Sequence, residues 1–239
     1  LQDPRVRVLR DGQHQGLPAR RNAIVRLAKG ELVARMDADD AMHPLRLEKQ
    51  VGFLQANPEL DGVTTGAYLI DAEDRPIALL PGRQPSAQEV LARGGFLHPS
   101  LLARKSWFEA HPYSLDYPRA EDRELFVRTF KTSRLHVLSE PLYFYRWFGV
   151  PRGKTLRIGY RSERKVMWKY GPNLVGWGPS LRLIALSFGK ELLTWFLEWT
   201  HLEKGFQTRR AFQPLLEMDQ REALRTLKVI RETCVPGWD

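Results

Sequence analysis

The sequence has 239 residues, enough to bury a sizeable core, and its content of 43% hydrophobic and 27% charged residues is ordinary for a globular protein. Its single cysteine, Cys234, excludes an internal disulfide framework and a cysteine-rich zinc site. No stretch reaches the roughly 18 uncharged apolar residues of a membrane-spanning helix and no signal-peptide pattern opens the sequence, so a cytoplasmic location is expected.

The formal net charge of +9 is unevenly distributed. Between Arg152 and Lys169 there are seven basic residues and one acid, Glu163. Such a segment suits phosphate groups on anionic lipid, on a lipid-linked sugar acceptor or on nucleic acid, and it can equally be a solvated helix face. Of these partners we predict an anionic membrane, which the protein would contact peripherally at the inner face of the cell membrane. We predict no nucleic-acid partner.

The first predicted elements form a β-α-β unit. Alternation over Arg5–Leu9 predicts a short strand, Leu17–Lys29 is predicted as a helix ended by Gly30, and Glu31–Met36 is predicted as a second strand. A crossover unit of this kind is typical of a largely parallel sheet covered by helices. The opening of the sequence therefore predicts an α/β fold.

Three carboxylates follow the second strand within Met36–Asp40. Because Pro44 then opens an amphipathic helical pattern, the acids lie at the carboxyl end of a strand, where open α/β sheets bind ligands. An Asp-x-Asp pair at that edge offers hard oxygen ligands to Mg²⁺ or Mn²⁺ carrying a phosphorylated substrate. The alternative is that Asp39 or Asp40 only caps the turn before the helix.

The middle of the sequence continues the alternation of strands and helices. Strands are predicted over Gly62–Ile70, Arg75–Leu80, Phe96–Ala103 and Leu142–Trp147, and helices over Ser86–Ala92 and Ala120–Arg128. The last helix has Glu121 and Asp122 in its first turn. Acids there interact favourably with the helix dipole by about 0.3–1 kcal/mol, which is a sufficient structural reason for their presence.

Beyond Gly149 the pattern is helical only. In Thr155–Tyr170 four basic residues fall on one face, namely Arg157, Arg161, Arg164 and Lys165. A long helix is predicted from Pro179 to about Leu202. Its apolar arc is wider than packing against a single neighbouring element would require. Either part of this arc lies in a membrane surface or other elements cover it, and we predict that the amphipathic helix Gln213–Glu232 covers it.

Seven segments together resemble the nucleotide-sugar-dependent glycosyltransferases of family two, and within that family the bacterial surface-polysaccharide enzymes. They are Gly16–Asn22, Lys29–Glu31, Ala34–Asp40, Pro44–Gln50, Phe96–Ala103, Ala120–Arg128 and Leu142–Trp147. The resemblance implies a Rossmann-like A-type glycosyltransferase domain over residues 1–149, lacking the family's first strand-helix units, followed by an all-helical appendage over 150–239.

The resemblance also implies the chemistry of individual residues. Asp39 would bind Mn²⁺ or Mg²⁺ at the donor diphosphate. Asp122, with Glu121 beside it, would be the general base that deprotonates the acceptor hydroxyl. The residues that would contact the donor nucleotide or its phosphates are Arg21, Asp37, His98 and Arg146.

The implied activity is inverting, metal-dependent transfer of a sugar from a nucleoside diphosphate, most simply a UDP-sugar, to a glycan or lipid-linked acceptor. Processive family members carry Gln-x-x-Arg-Trp, of which Tyr143–Trp147 keeps only the last two residues, which favours single-sugar transfer. Two alternatives remain open. One is a nucleotidyltransferase, against which the missing glycine-rich loop counts. The other is a truncated, non-catalytic remnant that acts as a membrane-docking or scaffold protein.

Overall fold

Strands and helices are interspersed up to residue 146, and the regular elements described beyond that point are helices. The computed structural model describes residues 3–10, 12–148, 153–200 and 215–233. The helices are α1 Leu17–Leu27, α2 Arg46–Ala56, α3 Ala87–Arg93, α4 Lys105–Ala110, α5 Glu121–Thr129, α6 Gly153–Val175, α7 Trp177–Trp199 and α8 Glu217–Glu232. The strands are β1 Leu32–Ala34, β2 Ala41–Met42, β3 Gly62–Ile70, β4 Pro76–Leu80, β5 Leu102–Arg104 and β6 Leu135–Arg146.

The six strands form one mixed sheet in the order β1-β5-β3-β6-β2, with β4 also paired to β3. Only the β3–β6 pair is parallel, and the other described pairs are antiparallel. The prediction of a largely parallel sheet is therefore wrong. Local periodicity identifies a strand but carries no information on its direction, which depends on partners far away in the sequence.

The predicted strand over Arg5–Leu9 is also wrong, since none of these residues pairs with a strand among the described residues. The alternating side chains of Val6 and Val8 are both exposed. The segment instead contacts α1, where Arg7 Nη2 donates to the carbonyl oxygen of Leu27 over 2.5 Å. An alternating pattern produces a strand only where a neighbouring strand or a core receives it.

The central strand β3 positions the rest of the sheet. All nine of its residues are buried, so both of its faces are covered. Neighbouring residues of β5 show the two layers, because Leu102 packs with α2 and Ala103 packs with the helices on the opposite face. The core on that opposite face includes Leu91 of α3, Phe126 of α5 and Val166 of α6.

The last helix, α8, packs on the sheet. Its Ala223 and Leu227 contact Tyr68 and Ile70 of β3 and Phe144 of β6. The prediction that this helix covers the long helix α7 is therefore wrong. An amphipathic pattern shows that one side of a helix is buried, but it does not identify the surface that buries it.

The helices α6 and α7 pack against each other, and α6 joins the core. The cationic face predicted on α6 is partly neutralised by α7, because Arg157 pairs with Glu198 and Arg164 pairs with Glu191. Arg161 lies 3.4 Å from the same Glu191. The three arginines of this face, which the sequence grouped with Lys165, thus all lie beside carboxylates of α7. Within the described ranges, every helix is too short or too polar to cross a bilayer.

Candidate active site

The acids after β1 form a tight turn that is anchored on both sides. The N–H of Asp40 donates to the carbonyl oxygen of Asp37 over 3.4 Å. Before the turn, the N–H of Arg35 donates to the carbonyl oxygen of Leu101 over 2.8 Å. After it, β2 pairs with β6 and returns the chain to the sheet. The backbone of the turn is thus held in place from two directions.

Asp40 is the acid that faces the protein. Its carboxylate accepts hydrogen bonds from Tyr143 Oη and from the N–H of Arg146, both over 2.8 Å. Tyr143 Oη in turn accepts from the N–H of Asp37 over 3.2 Å. Burial raises the pKa of Asp40 to about 6. Asp40 therefore stabilises the turn and leaves the other two acids to face solvent.

The carboxylates of Asp37 and Asp39 remain accessible. Asp37 Oδ1 accepts from Arg35 Nη2 over 2.7 Å. Asp39 is exposed, and within the residues that the structure describes no group hydrogen bonds its carboxylate. Those ranges also contain no cluster of three or more ligand side chains that encloses a metal. Because Mg²⁺ commonly binds through one or two carboxylates together with substrate phosphates and water, this donor set fits an ion that arrives with a diphosphate.

Arg146 fastens the acidic turn to the hairpin between β3 and β4. Its Nε donates to the carbonyl oxygen of Asp39 over 2.7 Å and its Nη1 to that of Asp71 over 2.7 Å. Its Nη2 donates to Asp74 Oδ1 over 2.5 Å. The resemblance implied contact with the diphosphate, but the guanidinium is directed at protein oxygens. Arg146 is a positioning residue for the turn in this structure.

A buried arginine that the sequence analysis did not single out supports the turn from behind. Arg46, in the first turn of α2, donates to the carbonyl oxygen of Arg35 over 2.9 Å and to Gln50 Oε1 over 2.9 Å. Gln50 then donates to the carbonyl oxygens of Val63 and Ser100. Burial lowers the pKa of Arg46 to about 10, so it stays charged at neutral pH. The four-residue spacing of Arg46 and Gln50 on one helix face was the available signal.

The second group of site residues surrounds the first turn of α5. His98 was predicted in a strand but lies in a 3-10 turn, His98–Ser100, and is buried. Its Nε2 is 2.7 Å from Tyr113 Oη, and its Nδ1 is 3.9 Å from Asp122 Oδ2. Burial, together with the charges of Arg35 and Arg21, holds the pKa of His98 well below its usual value. The ring is therefore neutral beside the Asp122 carboxylate.

The two acids that open α5 have different surroundings. Glu121 pairs with Arg21 of α1, and both side chains are about nine-tenths buried, with 11% and 12% exposed. Arg21 also lies over the ring of Tyr113, at 5.4 Å from its centre. Asp122 is 43% exposed. The structure thus brings Arg21 and Glu121 together as partners and leaves Asp122 as the accessible carboxylate.

Arg35 joins the two groups. One terminal nitrogen, Nη2, holds Asp37, and the charge of Arg35 helps to lower the pKa of His98, which neighbours Asp122. The other terminal nitrogen, Nη1, is buried and has no partner within the described part of the chain. The role of Arg35 was not predicted from the sequence, although the residue lies two positions before the first acid. A spare cationic donor of this kind suits an anionic ligand.

Comparison with known proteins shows which family the first half of the chain is similar to. Residues 1–115 match the family model described as glycosyl transferase family 2. The match covers just under half of the chain. The resemblance stated from the seven segments is therefore confirmed, and five of those segments lie wholly within the matched residues.

Two curated relatives are named as glycosyltransferases. EpsE of Bacillus subtilis, a putative glycosyltransferase, is 30% identical over 148 residues, which are 59% of this chain and 52% of EpsE. WbnJ of Escherichia coli, an O-antigen biosynthesis glycosyltransferase, is 32% identical over 130 residues, 52% of this chain and 51% of WbnJ. The chain spans about half the length of each relative.

A solved structure confirms the predicted fold. The structure of residues 1–349 of TarS from S. aureus, in complex with UDP-GlcNAc, aligns with a TM-score of 0.51 at 15% identity. The alignment covers 73% of this chain and 52% of the TarS chain. An A-type glycosyltransferase fold, α/β with helices after the last strand, is therefore established here. At this level of identity the likeness concerns the fold alone.

Proposed function

We propose that this chain is an inverting glycosyltransferase that moves one sugar from a nucleoside diphosphate to an acceptor hydroxyl. The observation that carries the proposal is the pairing of two accessible carboxylate sites around Arg35. The free Asp39 carboxylate lies on the turn that Arg35 holds through Asp37. Asp122 lies beside His98, whose pKa the Arg35 charge helps to lower. One site can serve the leaving group and the other the nucleophile.

Asp122 is the proposed general base. It is accessible, and its only side-chain hydrogen bond within the described part of the chain comes from the neighbouring N–H of Arg123, over 2.8 Å. The neutral ring of His98 does not form an ion pair with it, so the carboxylate keeps its capacity to accept a proton. The deprotonated acceptor oxygen forms a bond to the anomeric carbon while the bond from that carbon to the phosphate oxygen breaks. Attack opposite the leaving group inverts the anomeric configuration.

Asp37, Asp39 and Arg35 are proposed to receive the donor diphosphate. A divalent cation, Mn²⁺ or Mg²⁺, would be held by Asp39 and neutralise charge on the leaving diphosphate. Arg35 contributes its unpartnered Nη1 as a donor to an anionic oxygen. Arg21 and His98 are proposed to act through neighbouring acids and not by direct contact with the donor. Arg21 pairs with Glu121, and His98 lies beside Asp122.

The donor and acceptor classes are inferred from the relatives. TarS, which shares the fold, was crystallised with UDP-GlcNAc, so a UDP-sugar is the first donor to test. WbnJ is named for O-antigen biosynthesis, which makes an oligosaccharide or a lipid-linked glycan the first acceptor to test. Only Arg146 and Trp147 of the processive motif are present, and Arg146 is used to hold the acidic turn, which supports transfer of a single sugar.

Two matched substitutions test the separate roles proposed for Asp122 as the base and for Asp39 as the metal ligand. Asp122→Asn keeps the shape of the side chain but removes its basicity, so transfer should fall by about 10²–10⁴ while donor affinity stays near that of the parent. Asp39→Asn removes a hard anionic ligand, so both metal-dependent donor binding and transfer should fall. Donor binding is measured by calorimetry with and without Mn²⁺, and transfer by product formation.

Asp116→Asn is the matched control, because Asp116 is an exposed aspartate that precedes α5 and belongs to neither site. It should leave binding and transfer unchanged. Near-normal transfer by Asp122→Asn would reject the assigned base. Folded protein without donor binding or transfer in any form would favour the non-catalytic alternative, and nucleotide transfer in place of sugar transfer would favour the nucleotidyltransferase.

A further inference from the structure

One side of α7 carries an exposed apolar stripe along its whole length. The stripe consists of Trp177, Leu181, Phe188, Leu192, Trp195 and Trp199. Their separations of three, four and seven residues place them on one side of the helix. Each is between 48% and 76% exposed. An uninterrupted stripe with three tryptophans differs from the scattered apolar residues of an ordinary protein surface.

Cationic side chains of α6 run beside the stripe. The guanidinium carbon of Arg157 lies 5.7 Å from the ring centre of Trp195, and that of Arg164 lies 4.0 Å from the ring centre of Phe188. At the other end, Trp168 of α6 contacts Trp177 edge to face at 6.1 Å. The stripe and α6 therefore form one continuous surface.

A groove of about 480 Å³ between the two helices concentrates positive charge next to the stripe. Its lining includes Arg161, Lys165, Lys169, Trp168 and Phe188. Lys165 and Lys169 are exposed, and neither forms an ion pair with a carboxylate among the residues that the structure describes. The groove thus has spare cations where the apolar stripe begins.

We propose that this surface, the stripe of α7 together with the groove cations Arg161, Lys165 and Lys169, docks on an anionic lipid bilayer. Tryptophan rings occupy the boundary between lipid headgroups and acyl chains, and lysine and arginine side chains attract lipid phosphates. The helices α6 and α7 would lie in the plane of the membrane, as an amphipathic helix does when it is not long or apolar enough to cross.

Charge distinguishes the membrane from other occupants of the surface. A second copy would bring the same cations to the interface, and like charges oppose association. The segment after Thr200 also lacks the negative charge that would neutralise the groove cations. Residues 201–214 contain Lys204, Arg209 and Arg210 but only one acid, Glu203. An anionic bilayer offers phosphate groups to the groove lysines and an apolar interior to the side chains of the stripe. This docking goes beyond the proposed transferase activity and does not depend on it.

Vesicle flotation of the purified protein tests the proposal without any measurement of transfer. The probes are vesicles of phosphatidylcholine alone and of phosphatidylcholine with phosphatidylglycerol. We expect binding to the anionic vesicles to exceed binding to the neutral ones and to weaken as salt is raised from about 0.05 to 0.5 M. Lys165→Glu with Lys169→Glu should lower the partition coefficient by about thirtyfold.

The apolar part is tested with Leu192→Gln and Trp199→Gln, at the two most exposed positions of the stripe. This pair should lower binding at least tenfold even at low salt. Matched controls lie on α8. Arg225→Glu with Lys228→Glu makes the same charge change, and Leu224→Gln with Val229→Gln removes exposed apolar groups. Neither control should change binding, and circular dichroism should show the parent's melting temperature for all four.

Three results would overturn the proposal. Equal binding to neutral and anionic vesicles would remove the role of the cations. Absence of binding, with dimers that dissociate on Leu192→Gln and Trp199→Gln, would identify a second copy as the occupant. Absence of binding by a monomer in which hydrogen exchange of residues 185–199 is as slow as in the core would identify the chain's own residues 201–214 as the cover.

Discussion

At the scale of single residues, neighbouring acids in one turn have different tasks. Asp40 is tied to Tyr143 and to the backbone of Arg146, whereas Asp39 faces solvent. The pattern of carboxylates located the turn but could not assign these environments, because the partners of Asp40 lie more than a hundred residues away. Arg46 and Gln50 were overlooked as site residues for the same reason. Their importance follows from the backbone oxygens that surround them in three dimensions.

The buried His98 predicts how stability depends on pH. Its pKa in the folded state lies well below the unfolded value of 6.5, so below that pH the unfolded chain binds a proton that the folded chain does not. Stability should therefore decrease as pH falls below about 6.5, by up to about 1.4 kcal/mol per pH unit from this group.

The variant His98→Gln can still hydrogen bond to Tyr113 Oη but does not titrate. Urea unfolding at a series of pH values between about 5 and 7.5 should show a smaller dependence on pH for the variant than for the parent. Identical slopes would mean that His98 is protonated in the folded protein. His43, whose pKa burial also lowers, is unchanged in both proteins and serves as an internal reference.

At the scale of elements, locally encoded features agree with the sequence. The helix predicted at Ser86 begins there with a capping box formed by Ser86 and Glu89, and it ends at Gly94. The strands β3 and β4 were also predicted closely, because the turn between them is made by local residues. Elements that need a distant partner were predicted less accurately. The strand predicted at Arg5–Leu9, for example, does not form.

The close approach of Gly82, just after β4, to the strand β6 predicts a position that is sensitive to substitution. A Cβ on Gly82 would lie 1.9 Å from the carbonyl oxygen of Leu138 in β6, and that atom belongs to the backbone and cannot rotate away. Gly82→Ala should therefore destabilise the protein by about 3 kcal/mol or more, measured by urea unfolding.

The control is Gly52→Ala in α2, where nothing lies within 4 Å of the added atom. It should be neutral or should stabilise the protein by up to about 1 kcal/mol, because alanine favours a helix over glycine. Equal, small effects of the two substitutions would contradict the prediction. They would mean that the backbone of β6 moves away from the added methyl group at Leu138 without loss of stability.

At the scale of the whole molecule, the helices after β6 are attached to the sheet at separate places. Tyr170 of α6 donates to Glu124 of α5 over 2.7 Å, and α8 packs on β3 and β6 through Leu227. The division into residues 1–149 and 150–239 stays a prediction. The contacts of α8 suggest that the C-terminal part folds together with the sheet.

Truncation of one α8 side chain measures this coupling. Leu227 is buried against β3 and β6, so Leu227→Ala should cost about 2–5 kcal/mol of the free energy of unfolding. The control Leu224→Ala, one turn earlier and half-exposed, should cost less than 1 kcal/mol. A single unfolding transition that shifts as a whole is expected, and two transitions with only one affected would separate α8 from the domain.

The sequence by itself indicated the resemblance to family-two glycosyltransferases, the α/β class, the acidic turn and the helix that opens with Glu121 and Asp122. These depend on residue type and short spacing, which act through local hydrogen bonding and through motifs within one segment. Only the tertiary structure decided that Arg21 pairs with Glu121, that Arg146 holds the turn, and that the outer side of α7 stays exposed. Those outcomes depend on which surfaces meet when the chain closes on itself. Several surfaces compete for each charge or apolar face, and periodicity alone does not choose between them.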